Sequence, residues 1–317
     1  MYGLVEKPRP VAAGGVSMPE LPEVETTARF LRPHLSGRAI VGIRALDYPP
    51  LVAPYSREGF AAALLGGRVR DLGRRGKHLL LFLEDGRVLA IHLGMSGRLL
   101  LFPRGTPPDR HTHAVLDLDD GNALHFGDPR KFGRMRLLSA EEYAALDRRL
   151  GPEPLSPAFT VQVLAQRLQA RSQARLKALL LDQRILAGLG NIYADEALFR
   201  AGLHPFRPAG SLTPEDVGRL HQAIREVLEE AIAAEGTTLP DRAFRFGTGT
   251  DGRFAVRLQV YGRAGRPCPR CGTTLRRERL AGRSTCFCPR CQKGAFEKDE
   301  PKRKSKSCGQ RTPVVVK

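Results

Sequence analysis

The segment from Met18 to Glu25, with the sequence MPELPEVE, combines a proline with carboxylates in a pattern that could do chemistry. If the working polypeptide loses Met18, Pro19 becomes a free secondary amine. The pKa of an α-amino group is about 8, so part of it is unprotonated near neutral pH and can attack a sugar C1′ to form an iminium. The alternative is that the glutamates only favour the first turn of a helix. The octet alone leaves these two interpretations even.

The residues before this octet decide whether that amine exists. Residues 1–17 contain no apolar stretch of the length that a secretory signal needs. An extension upstream of Pro19 would make its nitrogen an interior tertiary amide without a nucleophilic lone pair. We therefore expect residues 1–17 to be a non-native or processed extension and the working chain to begin at Met18.

Four cysteines farther along the chain have the spacing of a metal site. They form two Cys-x-x-Cys pairs separated by sixteen residues: Cys268, Cys271, Cys288 and Cys291. Each pair can form a tight knuckle, and a short hairpin can bring both around one structural Zn²⁺ as a zinc ribbon; the alternative is four free thiols in a loop. From Arg263 to Lys293 there are nine Lys and Arg but one Glu, which favours phosphate contact. Cys286 and Cys308 fit no ligand pair.

The composition limits the possible partners. The 317 residues are 42% hydrophobic and 26% charged, which is ordinary for a globular protein of two domains. The net charge of +18 favours a polyanion, and nucleic acid is the first candidate. The sequence has no apolar run of about 18 residues, no basic amphipathic helix and no lipidation signal, so we expect no membrane partner. The cysteine spacing indicates a reducing compartment, and we expect a cytoplasmic monomer.

The apolar periodicity predicts an α+β fold with an N-terminal helix from Pro22 to Leu35, a β-sandwich or barrel, and then a helical domain. The strands are expected at residues 39–46, 68–72, 79–83, 88–93, 99–102, 114–118 and 123–126. The later helices are expected at residues 161–171, 176–181, 192–201 and 217–234, the last with Thr213 as its N-cap. Three prolines between Gly151 and Pro157 indicate a linker between the two halves.

These elements set the expected domain boundaries. They are residues 18–150 for the β-rich domain, 151–157 for the linker, 158–256 for the helical domain, 257–293 for the zinc ribbon and 294–317 for a tail. The tail has seven Lys and Arg against three Asp and Glu, and we expect it to be basic and disordered.

Six motifs occur in one order along the chain and together resemble the formamidopyrimidine-DNA glycosylase family. They are the octet, Gly76-Lys77, HLGMSG at 92–97, DPRKFG at 128–133, GLGNIYA at 188–194 and the cysteine ribbon. The resemblance runs from Met18 to about Lys293. It implies a helix-two-turn-helix element in the helical domain and a lesion-sensing loop between Thr237 and Phe254.

The resemblance implies catalytic roles for four residues. Pro19 would be the Schiff-base nucleophile, and Glu20 would donate the proton that assists departure of the damaged base and opening of the sugar, provided that burial raises its pKa. Lys77 would assist β-elimination and contact phosphate, although a lysine beside two arginines is otherwise a solvated strand end. Arg283 would lie on a phosphate and support δ-elimination.

Other matched positions would contact DNA. Met95, Arg130 and Phe132 would fill the space left by a flipped-out nucleotide, which offsets part of the cost of flipping, and Arg130 would pair with the orphaned cytosine. The remaining contacts would come from His92, His111, Asn191 and Arg171. Arg171 would substitute for a lysine that the family often has near the start of the second domain. Without the motifs, a methionine or phenylalanine at a strand end is an ordinary core residue.

The sequence thus predicts a bifunctional glycosylase and AP lyase that acts on double-stranded DNA. It would excise oxidised purines such as 8-oxoguanine and formamidopyrimidines and then cleave the strand by β,δ-elimination. An enzyme of the endonuclease VIII type shares the Pro-Glu start but prefers oxidised pyrimidines; Met95, Arg130 and Phe132 favour the purine enzyme. A third alternative, if translation starts at Met1, is a zinc-ribbon DNA-binding protein without catalytic function.

Overall fold

The computed structural model describes residues 18–239 and 244–294. The expected extension at residues 1–17, the expected tail from residue 295 onward, Cys308, and residues 240–243 of the expected lesion loop lie outside the described residues. Within the described ranges, no helix is long and apolar enough to cross a membrane.

Helix α1 (Leu21–Leu35) follows the extended residues 18–20. Its start is stabilised by Glu23, whose carboxylate accepts a hydrogen bond of 2.8 Å from the backbone N–H of Glu20. The predicted apolar stripe of this helix is fully buried: Val24, Ala28, Leu31 and Leu35. Leu21 instead belongs to the core of the helical domain, so the first turn of α1 joins the two halves of the molecule.

Two antiparallel sheets form a sandwich in the described part of the chain, with strand orders β1-β6-β7-β5 and β2-β3-β4-β8. The strands are β1 (Ile40–Arg44), β2 (Val69–Arg75), β3 (His78–Leu83), β4 (Val88–His92), β5 (Arg98–Pro103), β6 (Thr112–Leu118), β7 (Asn122–Gly127) and β8 (Arg134–Leu138). Apolar side chains of both sheets share one core with α1. Within β3, for example, Leu79, Leu81 and Leu83 belong to this core, because alternate side chains of a strand point to the same face.

Three elements of this domain were not predicted: α2 (Arg57–Leu64), β8 and α3 (Ala140–Arg149). Two arginines interrupt the apolar pattern of β8, and α3 has no fully buried residue and therefore no clear apolar stripe.

The second domain contains α4 (Val161–Gln169), α5 (Leu176–Leu181), α6 (Asn191–Ala201) and α7 (Pro214–Ala233) around its own apolar core. Thr213 caps α7 as predicted, because its hydroxyl accepts the N–H of Asp216. Helix α4 ends before Arg171, which was predicted to lie in the helix and instead lies in the turn that follows.

The cysteine module contains the hairpin β9 (Arg276–Leu280) and β10 (Arg283–Phe287). Ala281 and Gly282 form its two-residue turn, with φ angles of 49° and 76°. Such turns match the twist of the strands they connect. The hairpin therefore places Arg283 at a fixed position at the start of β10, directly after the turn.

Candidate active site

Glu20 lies at the N-terminus of α6, although it belongs to the segment before α1. Its carboxylate accepts hydrogen bonds from the backbone N–H groups of Ile192 at 2.9 Å and Tyr193 at 3.4 Å. The side chain is 2% exposed. Burial raises the pKa of Glu20, while Lys77 and the helix N–H groups favour the charged form. Glu20 therefore sits where a carboxyl group can both hold and release a proton.

Lys77 follows Gly76 in the turn between β2 and β3 and is 6% exposed. The alternative of a solvated strand end is therefore wrong. Burial lowers the pKa of the ammonium group, and the charges of Glu20 and Glu23 oppose that shift. The neutral amine of Lys77 is thus more accessible near neutral pH than that of a lysine in water.

Gly190 lies directly beneath Glu20 and Lys77. A Cβ at this position would stand 2.5 Å from Oε1 of Glu20 and 2.6 Å from Nζ of Lys77. No side chain fits there without displacing one of them. Gly190, the second glycine of the GLGN motif, thus allows the side chains of Glu20 and Lys77 to meet over the start of α6.

Pro19 is buried and directly precedes Glu20. Two residues further along the chain, the N–H of Leu21 donates to the carbonyl oxygen of Gly188 at 3.0 Å. The segment that carries the expected nucleophile is therefore fixed to the helical domain through the Glu20 carboxylate and the Leu21 backbone.

Glu23 forms a second buried carboxylate next to the site, at 1% exposure. Its Oε1 accepts hydrogen bonds from the hydroxyl of Tyr193 at 2.5 Å and from the N–H of Thr237 at 2.8 Å. Burial and the neighbouring charge of Glu20 raise its pKa to about 7. Glu23 thereby links the start of α1 to the start of the expected lesion loop.

The turn that carries Lys77 is held by the linker residue Glu153. The Glu153 carboxylate accepts the N–H of Gly76 at 2.6 Å and pairs with Arg74 at 2.6 Å and Arg75 at 3.0 Å. These three groups leave the turn little freedom relative to the linker. We call Arg74, Arg75, Gly76 and Glu153 the linker clamp.

Arg283 is exposed at the start of β10. Its positive charge is one of the causes that lower the pKa of Lys77, so the two cations lie within electrostatic range. The structure thus brings Glu20, Lys77 and Arg283 to one region from three separate parts of the chain.

The three expected void-filling residues lie on two adjoining loops at one end of the sandwich. Phe132 is 50% exposed, and the guanidinium of Arg130 lies 5.4 Å from the centre of its ring. Met95 is half-buried in the neighbouring loop. The buried carboxylate of Asp128 fixes both loops, since it accepts the hydroxyl of Ser96 at 2.5 Å and two backbone N–H groups of its own loop.

The other expected DNA contacts differ in their surroundings. The Nδ1 atom of His92 accepts the N–H of Gly94 at 3.0 Å, and burial beside His78 and Lys77 lowers the pKa of His92 to about 3, so this imidazole is neutral. His111 is half-buried and accepts a hydrogen bond from its neighbour Arg110 at 3.0 Å. Neither environment excludes a polar contact with DNA, and the neutral His92 would make it without a charge.

Asn191 opens α6 and is half-buried, and its side-chain oxygen Oδ1 has no hydrogen-bond partner among the described residues. Arg171 is exposed and pairs with Asp182 at 3.2 Å. The buried lysine of this domain is Lys177, which is 0% exposed and was missed in the sequence. A lysine inside the otherwise apolar segment LKALLL was the signal that could have found it.

The four expected metal ligands meet at one point. The Sγ atoms of Cys268, Cys271, Cys288 and Cys291 all lie within 4.8 Å of one another, with two separations of 3.5 and 3.8 Å. Zn–S bonds of about 2.3 Å in a tetrahedron place sulfur atoms about 3.8 Å apart, which these separations match. Cys286 points elsewhere, among the apolar residues under the hairpin. The donor set fits one structural zinc ion.

Comparison with protein families divides the chain as the structure does. A model described as the formamidopyrimidine-DNA glycosylase N-terminal domain matches residues 18–135, its H2TH domain matches residues 150–243, and a zinc finger found in FPG and IleRS matches residues 265–294. A formamidopyrimidine-DNA glycosylase from Chloroflexus aurantiacus is 53% identical over 87% of this chain and 98% of its own length. The chain belongs to the formamidopyrimidine-DNA glycosylase family.

Other similar proteins support the same family assignment. The glycosylase of a Roseiflexus species is 50% identical over 87% of this chain and all of its own length. The crystal structure of MutM (Fpg) from Thermus thermophilus has a TM-score of 0.78 at 47% identity, over 88% of this chain and 100% of that one. Lactococcus lactis Fpg in complex with abasic-site DNA has a TM-score of 0.79 at 35% identity, over 86% of this chain and 99% of that one.

This formamidopyrimidine-DNA glycosylase family member is therefore a DNA glycosylase of base excision repair with glycosylase and lyase activity. The α+β fold with its helix-two-turn-helix domain, the enzyme class and the structural zinc predicted from the sequence are confirmed. The alternative of a DNA-binding protein without catalytic function is set aside.

Proposed function

We propose that this glycosylase excises oxidised purines, namely 8-oxoguanine and formamidopyrimidines, from double-stranded DNA and then cleaves the strand by β,δ-elimination. The buried pair of Glu20 and Lys77 at the start of α6, directly beside Pro19, carries this proposal. It supplies a proton donor and a base next to the one residue that can become a secondary amine.

In the first step, the Pro19 nitrogen bonds to C1′ as the glycosidic bond breaks, and the base leaves with that electron pair and a proton from Glu20. The ammonium group formed at Pro19 returns its proton to Glu20. Glu20 then protonates the ring oxygen as the C1′–O4′ bond breaks, and the nitrogen lone pair completes the iminium. A carboxyl group whose pKa is raised by burial suits this role near neutral pH.

The two eliminations then use the neutral amine of Lys77 and the guanidinium of Arg283. In the β step, the sugar loses a C2′ proton and its C3′–O bond breaks, so that the downstream strand leaves with its phosphate. Lys77, whose pKa is lowered by burial, can take up that proton. In the δ step the unsaturated sugar loses its C4′ proton to water as the C5′–O bond breaks, and Arg283 supports the departing phosphate by charge.

The arrangement of the expected void-filling residues supports excision from duplex DNA. Met95, Arg130 and Phe132 stand together at the open end of the sandwich, where an exposed phenylalanine has no core to fill. Inserted side chains of this kind offset part of the few kcal/mol that flipping a nucleotide costs. Solved Lactococcus lactis relatives are described as bound to DNA that contains Fapy-dG or an abasic site.

Further phosphate contacts are proposed for His92, His111, Asn191 and Arg171, which are polar side chains of the same family motifs or of nearby turns. The chemistry also requires a form of the protein whose first residue is Pro19. The N-terminal family model matches from Met18 onward, which supports Met18 and not Met1 as the start of the working chain. Since the substrate is chromosomal DNA, we place the enzyme in the cytoplasm with the nucleoid.

The test uses two forms of the protein, one that begins at Pro19 and one that keeps residues 1–17. Each is incubated with duplexes that carry 8-oxoguanine opposite cytosine, or thymine glycol as an oxidised pyrimidine. We expect the Pro19 form to excise 8-oxoguanine faster, and we expect its Glu20→Gln variant to lose excision by about 10²- to 10⁴-fold. Faster excision of thymine glycol would contradict the purine assignment, and equal activity of the extended form would contradict the role of Pro19.

A further inference from the structure

Lys177 and Asp195 form an ion pair in the interior of the helical domain that the proposed reaction does not use. Lys177 lies on α5 and Asp195 on α6, with side chains 0% and 1% exposed. Their Nζ and Oδ1 atoms are 2.7 Å apart. A pair this deeply buried gains little net stability from its charges, because both must leave water. The hydrogen bonds that the pair makes to a neighbouring strand point instead to a role in holding a particular arrangement.

Both side chains reach out of the helical domain to strand β10. The Lys177 ammonium donates to the carbonyl oxygen of Ser284 at 2.9 Å and to the hydroxyl of Thr285 at 3.0 Å. The other carboxylate oxygen of Asp195 accepts the N–H of Cys286 at 2.9 Å. The pair thus contacts three consecutive residues of one strand. We call Lys177 and Asp195 the buried clamp.

Arg283 is the residue immediately before those three. On its other side is the two-residue turn with Ala281 and Gly282, and across the hairpin it pairs with Leu280. Its backbone is therefore confined on one side by the turn and on the other by the buried clamp. A displacement of β10 along or across the helices would move Arg283 with it.

We propose that Lys177 and Asp195 are positioning residues that aim Arg283 at the phosphate which leaves in the second elimination. The proposal rests on the proposed function, because it assumes that Arg283 acts in the δ step. Neither residue touches the reacting atoms in this account. Their effect passes through the backbone of β10, by the hydrogen bonds to Ser284, Thr285 and Cys286.

The ion pair of Lys177 and Asp195 could instead serve the zinc site, since the zinc ligand Cys288 directly follows strand β10. The pair could simply help to build the metal module. Zinc content separates the two roles: a structural role predicts that zinc is lost when the pair is removed, whereas a positioning role predicts that zinc stays and the products change.

The experiment compares Asp195→Asn with a double variant, Lys177→Met with Asp195→Leu, in the form of the enzyme that begins at Pro19. The double variant leaves no unpaired buried charge, so we expect the domain to fold even if the single variant does not. The control is Glu230→Gln, which removes an ion pair of 2.6 Å between α6 and α7 without touching β10. Zinc is measured after release by a thiol reagent.

The first readout is the ratio of β,δ product to β product on a duplex with one abasic site. Because a misplacement of about 1 Å can cost about 10²-fold, we expect the ratio to fall by at least about tenfold in both clamp variants and to stay unchanged in the control. Borohydride trapping, which reports the iminium at Pro19, should change by less than about twofold, since Arg283 acts only after that step. Zinc content should stay at that of the wild type.

The second readout is hydrogen exchange at the backbone amides of Arg283–Phe287, which we expect to be faster in the clamp variants. An unchanged product ratio with zinc retained would overturn the proposal, and so would loss of zinc from both clamp variants. A wild-type enzyme that makes no β,δ product would instead refute the δ step of the proposed function. In that case the exchange result still reports whether the pair holds β10.

Discussion

Two hairpins bring the two cations to the active site, and they are held in different ways. Lys77 is a buried side chain on a turn that is fixed by the partly exposed carboxylate of Glu153. Arg283 is an exposed side chain on a strand that is fixed by a fully buried ion pair and flanked by the zinc ligands.

The difference follows from what each cation must do. A lysine that exchanges a proton benefits from burial, because desolvation lowers its pKa. An arginine that holds a phosphate must reach out to the DNA, and it stays charged in any case. In the first hairpin the functional group itself, Lys77, is buried. In the second hairpin the functional group, Arg283, is exposed, and the ion pair that holds its strand is buried.

The largest expected effect comes from removing the amine of the buried Lys77. Lys77→Met keeps the length of the side chain but removes the proton acceptor, and we expect strand cleavage to fall by about 10²- to 10⁴-fold. Arg283→Met should act mainly on the later elimination, so that β product accumulates. Product analysis on a denaturing gel measures both. Equal loss of all products in the two variants would show that the cations do not act in separate steps.

A methyl group at the base of the site should have the next largest effect. In Gly190→Ala the added Cβ meets Glu20 and Lys77, so we expect excision to fall by about 10²-fold through misplacement of both groups. Gly218→Ala is the matched control, because a Cβ there meets nothing within 4 Å and the residue lies inside α7. The control should be as active as the wild type and more stable by up to about 1 kcal/mol. Full activity of Gly190→Ala would contradict the described packing.

The third prediction concerns Glu23, the second buried carboxylate near Lys77, whose titration should make the free energy of unfolding depend on pH. Burial raises the pKa of Glu23 to about 7, so the folded state binds a proton more tightly than the unfolded chain does. The stability that this proton contributes is complete below the ordinary pKa of about 4.5 and is lost as the pH rises through 7.

The matching variant is Glu23→Gln. We expect chemical denaturation to show that the wild type loses about 2–3 kcal/mol between pH 5 and pH 8 relative to this variant, which cannot ionise. The comparison between the two proteins at each pH cancels the titration of the groups that do not interact with Glu23. Parallel stability curves would contradict a titrating Glu23.

The smallest effect is expected from the linker clamp. Glu153→Gln weakens the contact with Gly76, Arg74 and Arg75 but keeps an acceptor, and we expect cleavage to fall by about tenfold, the equivalent of about 1.4 kcal/mol. Because these groups are partly exposed, salt should narrow the difference between wild type and variant. A salt-independent difference would indicate that the two hairpins are supported in the same way.

Much of this architecture could be predicted from the sequence because the signals are local. Apolar periodicity predicted α1 and seven of the eight strands of the sandwich, and the Cys-x-x-Cys pairs predicted the metal site. The supports of the two hairpins could not be predicted, because each joins residues far apart in sequence: Glu153 contacts Gly76, and Lys177 contacts Thr285. Arg171, which was expected to substitute for a lysine of the family, is exposed, and the buried Lys177 in the apolar helix α5 was not singled out in the sequence.

The central claim is that the nitrogen of Pro19, and not that of Lys77, forms the covalent bond to the sugar. The most direct test reduces the enzyme–DNA intermediate with borohydride, digests the complex and locates the sugar remnant by mass spectrometry. The proposed reaction predicts the remnant on the N-terminal peptide, attached to Pro19. A remnant on the peptide that contains Lys77 would contradict it.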